Sequence, residues 1–155
     1  MYKLKAQKWE GVQKNIIKKN DKGSKDKVKL GMAIVDGSYL VGKIIEVNFT
    51  NSRALLLSDL NSKIPVLLEP FDMHAVLSGT GQNFGIIEYT KEEYEYLMKG
   101  DVIVYTSGQG GLFKPGLPVG KITIEDENRR LINFFSDFKQ LDYVKIVSYN
   151  IGASN

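Results

Sequence analysis

The chain holds a single imidazole, His74, and no cysteine. Thiol nucleophiles, zinc-thiolate sites, iron–sulfur clusters and disulfides are thereby excluded, and histidine chemistry is confined to one position. His74 follows Phe71-Asp72-Met73, so Asp72 lies two residues upstream and on one strand face with it. The nucleophile to complete a triad would be Ser107, in Thr106-Ser107-Gly108-Gln109-Gly110-Gly111, where glycine-rich backbone amides could form an oxyanion hole. Serine proteases draw their base and its acid from separate elements, so a turn serine and a surface histidine explain these residues better, and no catalytic residue is assigned. Two acidic clusters, Glu92, Glu93, Glu95 and Glu125, Asp126, Glu127, have no further His or Cys to join them. They read as a solvated helix face and a hairpin tip, and no metal is assigned. The run from Gly79 to Gly85 lacks the Gly-Lys-Ser/Thr ending of a phosphate loop and leads into no helical pattern, so it is a turn and no cofactor is assigned.

The elements that would position these residues are mostly strands. Period-two or β-rich runs cover residues 32–35, 39–47, 54–58, 64–68, 75–77, 84–89, 102–106, 119–125, 131–135 and 143–149. The first two flank Asp36-Gly37, a dipeptide suited to positive φ at both corners of a type I′ hairpin. Pro65 has no N–H for a ladder, which puts its strand at an edge or starts it there. One helix is expected near residues 90–100: Thr90 and Glu93 make a capping box, Tyr94, Leu97 and Met98 share a face, and Gly100 closes the end.

An internal repeat sets the domain count. Val41-Gly42-Lys43-Ile44 recurs as Val119-Gly120-Lys121-Ile122, 78 residues later. Asn51 and Arg53 recur as Asn128 and Arg130 at an offset of 77, and Ser58-Asp59 as Ser136-Asp137 at 78. Upstream, the segment from Gly31 to Val35 resembles that from Gly100 to Val104 at an offset of 69, which implies a gain of nine residues within SGQGGLFKPGLP. Two copies of a strand–hairpin–strand–turn–strand unit predict two small similar β-barrels with one short helix, an all-β fold. The expected boundaries are a basic N-terminal arm over 1–29, a first barrel over 30–74, a second over 75–149, and a tail over 150–155.

Composition agrees with a globular domain. Of the 155 residues, 43% are hydrophobic and 25% charged, with 15 Gly and 4 Pro, which excludes disordered and collagen-like classes. Charge is uneven: residues 1–29 hold ten lysines against three acids, while the remainder carries a net −4. The arm is expected to be a solvated leader, with anionic partners such as nucleic acid or a membrane surface as the alternative. No apolar run approaches the roughly 20 residues of a membrane span, so no insertion and no signal or anchor are expected of the chain as written.

The succession GMAIVDGSYLVGKI, SRALLLSDLNSKIPV, LSGTG, GDVIVYTSGQGGLFKPGLPVGKI and FKQLDYVKIV resembles the extracytoplasmic β-domain of the MreC family of bacterial rod shape-determining proteins. The resemblance covers about residues 21–149. It implies a non-enzymatic scaffold on the outer, periplasmic face of the inner membrane. Its implied partners are a penicillin-binding protein (the elongation transpeptidase), MreD and MreB, with self-association possible in principle and no nucleic acid. That family also carries a membrane helix and a coiled coil, which this sequence does not show; a fragment, a truncated product or a short divergent member would each explain this.

Surface is then what remains for function. The gained segment places Leu112, Phe113, Pro115 and Leu117 between glycines, and an apolar loop that one copy lacks is a candidate docking site. Tyr39 is the further candidate, because tyrosine is enriched at interfaces. The competing function is a small barrel that binds nucleic acid through the basic arm.

Overall fold

The computed structural model describes residues 2–8, 17–20, 22–88, 101–111, 113–126, 129–141 and 143–147. Twelve strands run through them: β1 Tyr2–Lys8, β2 Ile17–Asn20, β3 Ala33–Asp36, β4 Tyr39–Val47, β5 Ser52–Leu56, β6 Lys63–Glu69, β7 Met73–Gly79, β8 Phe84–Glu88, β9 Ile103–Thr106, β10 Pro118–Asp126, β11 Arg129–Phe134 and β12 Tyr143–Val147. They close into two antiparallel barrels, ordered β1-β12-β3-β4-β5-β2 and β10-β11-β8-β7-β6-β9. The expected helix over 90–100 lies outside the described residues.

The two barrels share one cyclic strand order. Starting from the hairpin that carries Val-Gly-Lys-Ile, the first reads β3-β4-β5-β2-β1-β12 and the second β9-β10-β11-β8-β7-β6. Strand β12, last in the chain, therefore occupies in the first barrel the place that β6, first of its set, takes in the second. The first barrel is a circular permutation of the second, and the second is inserted between β5 and β12. This corrects the expected boundaries, because the first barrel is discontinuous and the second begins at Lys63 rather than at residue 75. It also corrects the solvated leader: β1 pairs with β12 and β2, and β2 pairs with β5, so the basic segment closes the first barrel. Closure is the reason for its order, since each of these strands would otherwise leave a row of backbone groups unpaired.

Within the repeat the register is shared. Gly42 faces Leu56 and Gly120 faces Phe134; Ile44 faces Ala54 and Ile122 faces Ile132. Leu57 N–H donates to the Val41 carbonyl, and Phe135 N–H donates to that of Val119. Both glycines sit where the neighbouring backbone comes close: a Cβ at Gly42 would meet the Leu55 carbonyl oxygen at 2.4 Å, and one at Gly120 that of Asn133, also at 2.4 Å. The step in offset from 78 to 77 has a structural cause. The first copy bulges between Ile44 and Glu46, the second between Ile124 and Asp126, and the later bulge admits Leu131 as one more paired residue. In consequence Arg53 neighbours buried Ala54, whereas Arg130 lies two positions from buried Ile132, so the arginines are out of phase on corresponding strands. Upstream, Ile34 faces Gly42 and Val104 faces Gly120, an offset of 70, so the second copy gains eight residues, not nine.

The turns repeat as well. Asp59 Oδ1 accepts from the Asn61 N–H (2.8 Å) and Asp137 Oδ1 from the Lys139 N–H (3.0 Å), so each Ser-Asp pair opens an Asx turn out of its barrel's third repeat strand. At the β3–β4 hairpin Asp36 already pairs with Tyr39, and Gly37-Ser38 form the loop with only Gly37 at positive φ (62°), one residue later than expected. Pro65 is not at an edge. Its carbonyl accepts from Ser107 N–H at 3.4 Å, just beyond the first β6–β9 pair at Val66, where its missing N–H interrupts no ladder bond. One hydrophobic cluster fills both barrels, with Ile34, Leu40, Ile44, Leu56, Ile64, Leu68, Leu77 and Ile132 among its fully buried members.

Candidate functional site

The eight gained residues form the crossing from β9 to β10, and Thr106 organises it. The Thr106 hydroxyl donates to the Lys114 carbonyl (2.6 Å) and accepts from the Leu117 N–H (2.9 Å), while its backbone exchanges bonds with Leu117 and Gly116. Gly108, Gly110, Gly111 and Gly116 all take positive φ, which coils the segment back on itself. Phe113 is thereby delivered into the core, 1% exposed and the largest fully buried side chain among the described residues. That corrects its expected role: a ring without accessible surface anchors its own fold rather than a partner. Leu117 is half-buried against the same cluster, Pro115 is exposed, and Leu112 lies outside the described residues. Pro115 and Gly116 line a cleft of about 530 Å³ with Leu67, Glu69, Tyr105, Thr106 and Ser107.

A second surface lies at the tip of the β3–β4 hairpin. Tyr39 is 39% exposed, and its ring lies 5.0 Å from that of Phe135, itself 37% exposed, at an interplanar angle of 35°. Tyr39 belongs to the first barrel and Phe135 immediately follows the last strand of the second, so the pair bridges the two. Tyr143, 66% exposed at the start of β12, lines a cleft of about 320 Å³ with Val35, Gly37, Val144 and Lys145 beside the same hairpin tip. Of these three rings, sequence reasoning singled out Tyr39 as a candidate and passed over Phe135 and Tyr143. Strand alternation held a signal for both: adjacent Phe134 and Phe135 cannot both point inward, and Tyr143 alternates with Val144 and Ile146, which do.

The other chemistry-bearing residues are not brought together. His74 is exposed on β7 opposite Leu67, and Leu67 is opposite Tyr105 on β9, so two strand spacings, roughly 10 Å, separate His74 from the strand leading to Ser107. Ser107 is two residues further along, and its hydroxyl accepts from the Gln109 N–H as a turn serine does. Of the acidic clusters, Glu92, Glu93, Glu95 and Glu127 lie outside the described residues, and Glu125 and Asp126 fall in the strand β10. A polar cluster joins β6, β7 and β8: Glu88 Oε2 accepts from Ser78 Oγ (2.8 Å) and from Lys63 Nζ (3.1 Å). The Ser78 hydrogen bond first, and then Lys63, hold the Glu88 carboxyl below its ordinary value. Arg53–Glu46 (3.2 Å) and Lys121–Asp101 (2.9 Å) are further surface pairs.

A family profile described as the rod shape-determining protein MreC, barrel core, matches residues 14–148. The cell shape-determining protein MreC of Cereibacter sphaeroides is 33% identical over 125 residues, which is 81% of this chain and 41% of that protein; the chain thus spans about two fifths of its length. Among solved structures, MreC from Pseudomonas aeruginosa superposes with a TM-score of 0.83 at 25% identity, covering 95% of this chain and 98% of that one. A complex between the penicillin-binding protein PBP2 and MreC from Helicobacter pylori matches at a TM-score of 0.68, over 95% and 97% of the two chains; at 12% identity this likeness concerns the fold alone. With eleven of the twelve strands inside the matched span, only β1 lying before it, this chain belongs to the MreC family of rod shape-determining proteins.

Proposed function

We propose that this chain is a non-enzymatic scaffold of the bacterial rod complex that holds a penicillin-binding protein, the elongation transpeptidase, against the aromatic surface of Tyr39, Phe135 and Tyr143. The observation that carries the reading is the half-exposed Tyr39–Phe135 pair spanning the seam between barrels. Partly exposed aromatic side chains beside a cleft are the side chains that dominate protein–protein interfaces. The MreC of Helicobacter pylori forms a complex with PBP2, which supports a partner of that class. Closed barrels leave no free sheet edge, so docking by side chains is favoured over strand addition. The scaffold would work on the outer face of the inner membrane, with MreD, MreB and a second copy of the chain as further partners of the whole protein. Nucleic-acid binding is disfavoured, because the lysine-rich segment supplies two barrel strands instead of a free arm.

Binding to the ectodomain of the cognate elongation penicillin-binding protein tests this. An anchoring aromatic is worth about 2 kcal/mol, so Tyr39→Ala and Phe135→Ala should each weaken binding roughly 30-fold, and affinity should change little between about 50 and 200 mM salt. Pro115→Ala, in the other cleft, should leave it unchanged. Loss of binding with Pro115→Ala alone would move the site to the β9–β10 crossing.

A further inference from the structure

The far end of the first barrel combines features that no partner at the hairpin tip would use. Strand β4 carries Tyr39 at its start and leads out to Phe49, a run of roughly 30 Å. Segment 23–32 lies along its outgoing half. Ser24 N–H donates to the Asn48 carbonyl (2.8 Å), Lys25 N–H to that of Phe49 (3.1 Å), and Gly31 N–H to that of Ile44 (2.8 Å). Along this outgoing half of β4 three large apolar residues are exposed, Leu30 (68%), Ile45 (37%) and Phe49 (70%).

Exposed Lys25, Lys27 and Lys29 alternate along the same segment. Among the described residues no carboxylate pairs with any of the three. The one acid between them, Asp26, turns its Oδ2 to the Gly23 N–H at 3.2 Å, and the segment keeps a net charge of +2. Exposed apolar side chains, interleaved with lysines that no carboxylate among the described residues pairs, fit a surface that is anionic at its face and apolar just beneath. A lipid bilayer with anionic headgroups has that layering, and either signal alone binds it weakly. A nucleic acid would match the lysines and leave Phe49 and Leu30 in water.

We infer that this end of the first barrel docks on an anionic lipid surface, with Phe49 and Leu30 entering the headgroup boundary and Lys25, Lys27 and Lys29 meeting the phosphates. The two surfaces lie at opposite ends of β4, so one chain can touch lipid and hold a protein partner at once, and either contact can fail without the other.

The test is co-sedimentation of the whole chain with vesicles of phosphatidylcholine containing about one third phosphatidylglycerol, against vesicles of phosphatidylcholine alone, at 100 and 500 mM salt. Only the anionic vesicles should carry the chain down, and less at high salt. One lysine near such a surface contributes about fivefold, so Lys25→Gln, Lys27→Gln and Lys29→Gln together should reduce partitioning on the order of 100-fold. Phe49→Ser should reduce it about tenfold while leaving the lysines in place. All four residues are exposed, and an unchanged circular dichroism spectrum reports that each variant is folded. Equal sedimentation with neutral vesicles, no effect of the triple variant, or binding to single-stranded RNA without binding to either vesicle would each overturn the inference.

Discussion

Replacing Gly42 or Gly120 by alanine probes the feature that the two barrels share most closely. Neither glycine is in the left-handed region, so the methyl group costs no backbone strain there; what it meets is the neighbouring strand. At Gly42 the new Cβ would stand 2.4 Å from the Leu55 carbonyl oxygen, 3.1 Å from its carbon and 3.2 Å from Leu56 Cα, all backbone. Relief to the 3.4 Å of ordinary contact needs a shift of about 1 Å in the middle of a ladder that is closed on both sides. Overpacking of this kind costs about 1–3 kcal/mol, and an obstacle made of main chain argues for the upper end, near 3 kcal/mol. Lower entropy of the unfolded alanine chain offsets about 0.4–1 kcal/mol. The net loss is then about 2 kcal/mol, or a melting temperature lower by roughly 4–8 °C for a chain of this size. Gly120→Ala should behave alike, with the Asn133 carbonyl oxygen at 2.4 Å, and the two should add because they sit in different barrels. Gly110→Ala is the control: it has φ of 72° and nothing within 4 Å of the added carbon, so it carries the left-handed penalty of about 1–2 kcal/mol less the same entropic offset, a net loss of about 1 kcal/mol. Melting followed by circular dichroism decides it. If Gly42→Ala melts as high as Gly110→Ala, close approach is not why the repeat keeps glycine.

Phe113→Ala should cost about 3–5 kcal/mol in denaturant unfolding, as loss of a buried ring does; a variant of normal stability would show that the ring is not core. Thr106→Val removes a buried hydroxyl that serves Lys114 and Leu117, so stability should drop by about 1–3 kcal/mol and amide exchange should accelerate over residues 107–117 more than elsewhere. The lowered Glu88 carboxyl contributes stability above its ordinary value of 4.5, and this is lost as pH falls through the folded-state value. Denaturation midpoints between pH 6 and 3 should therefore fall more steeply for the native chain than for Glu88→Gln, and parallel curves would contradict the hydrogen-bonded assignment.

Local pairing was legible in the sequence and closure was not. Val-Gly-Lys-Ile at an offset of 78 gave away the glycine register because each copy pairs with strands next to it in the chain. The partnership of β12 with β1 and β3 joins residues at opposite ends of the sequence, and no spacing announces it. Tyr-Lys-Leu-Lys-Ala-Gln-Lys over residues 2–8 alternates as a strand should, yet its lysines invited a reading by charge. Phe113 misled for a similar reason. Flanking glycines suggest an exposed loop, whereas their positive φ values here turn the segment inward. The aromatic pair at the seam was half visible: Tyr39 stands out at a hairpin tip, but its neighbour Phe135 is 96 residues away and reaches it only through the packing of one barrel on the other.

Hydrogen–deuterium exchange of the chain with and without the elongation penicillin-binding protein's ectodomain tests the scaffold reading most directly. Docking on the aromatic seam predicts protection concentrated at residues 36–40 and 134–144, with residues 107–117 unchanged and the far end of β4 still open. Protection centred on 107–117, or none anywhere at concentrations that saturate binding, would contradict it.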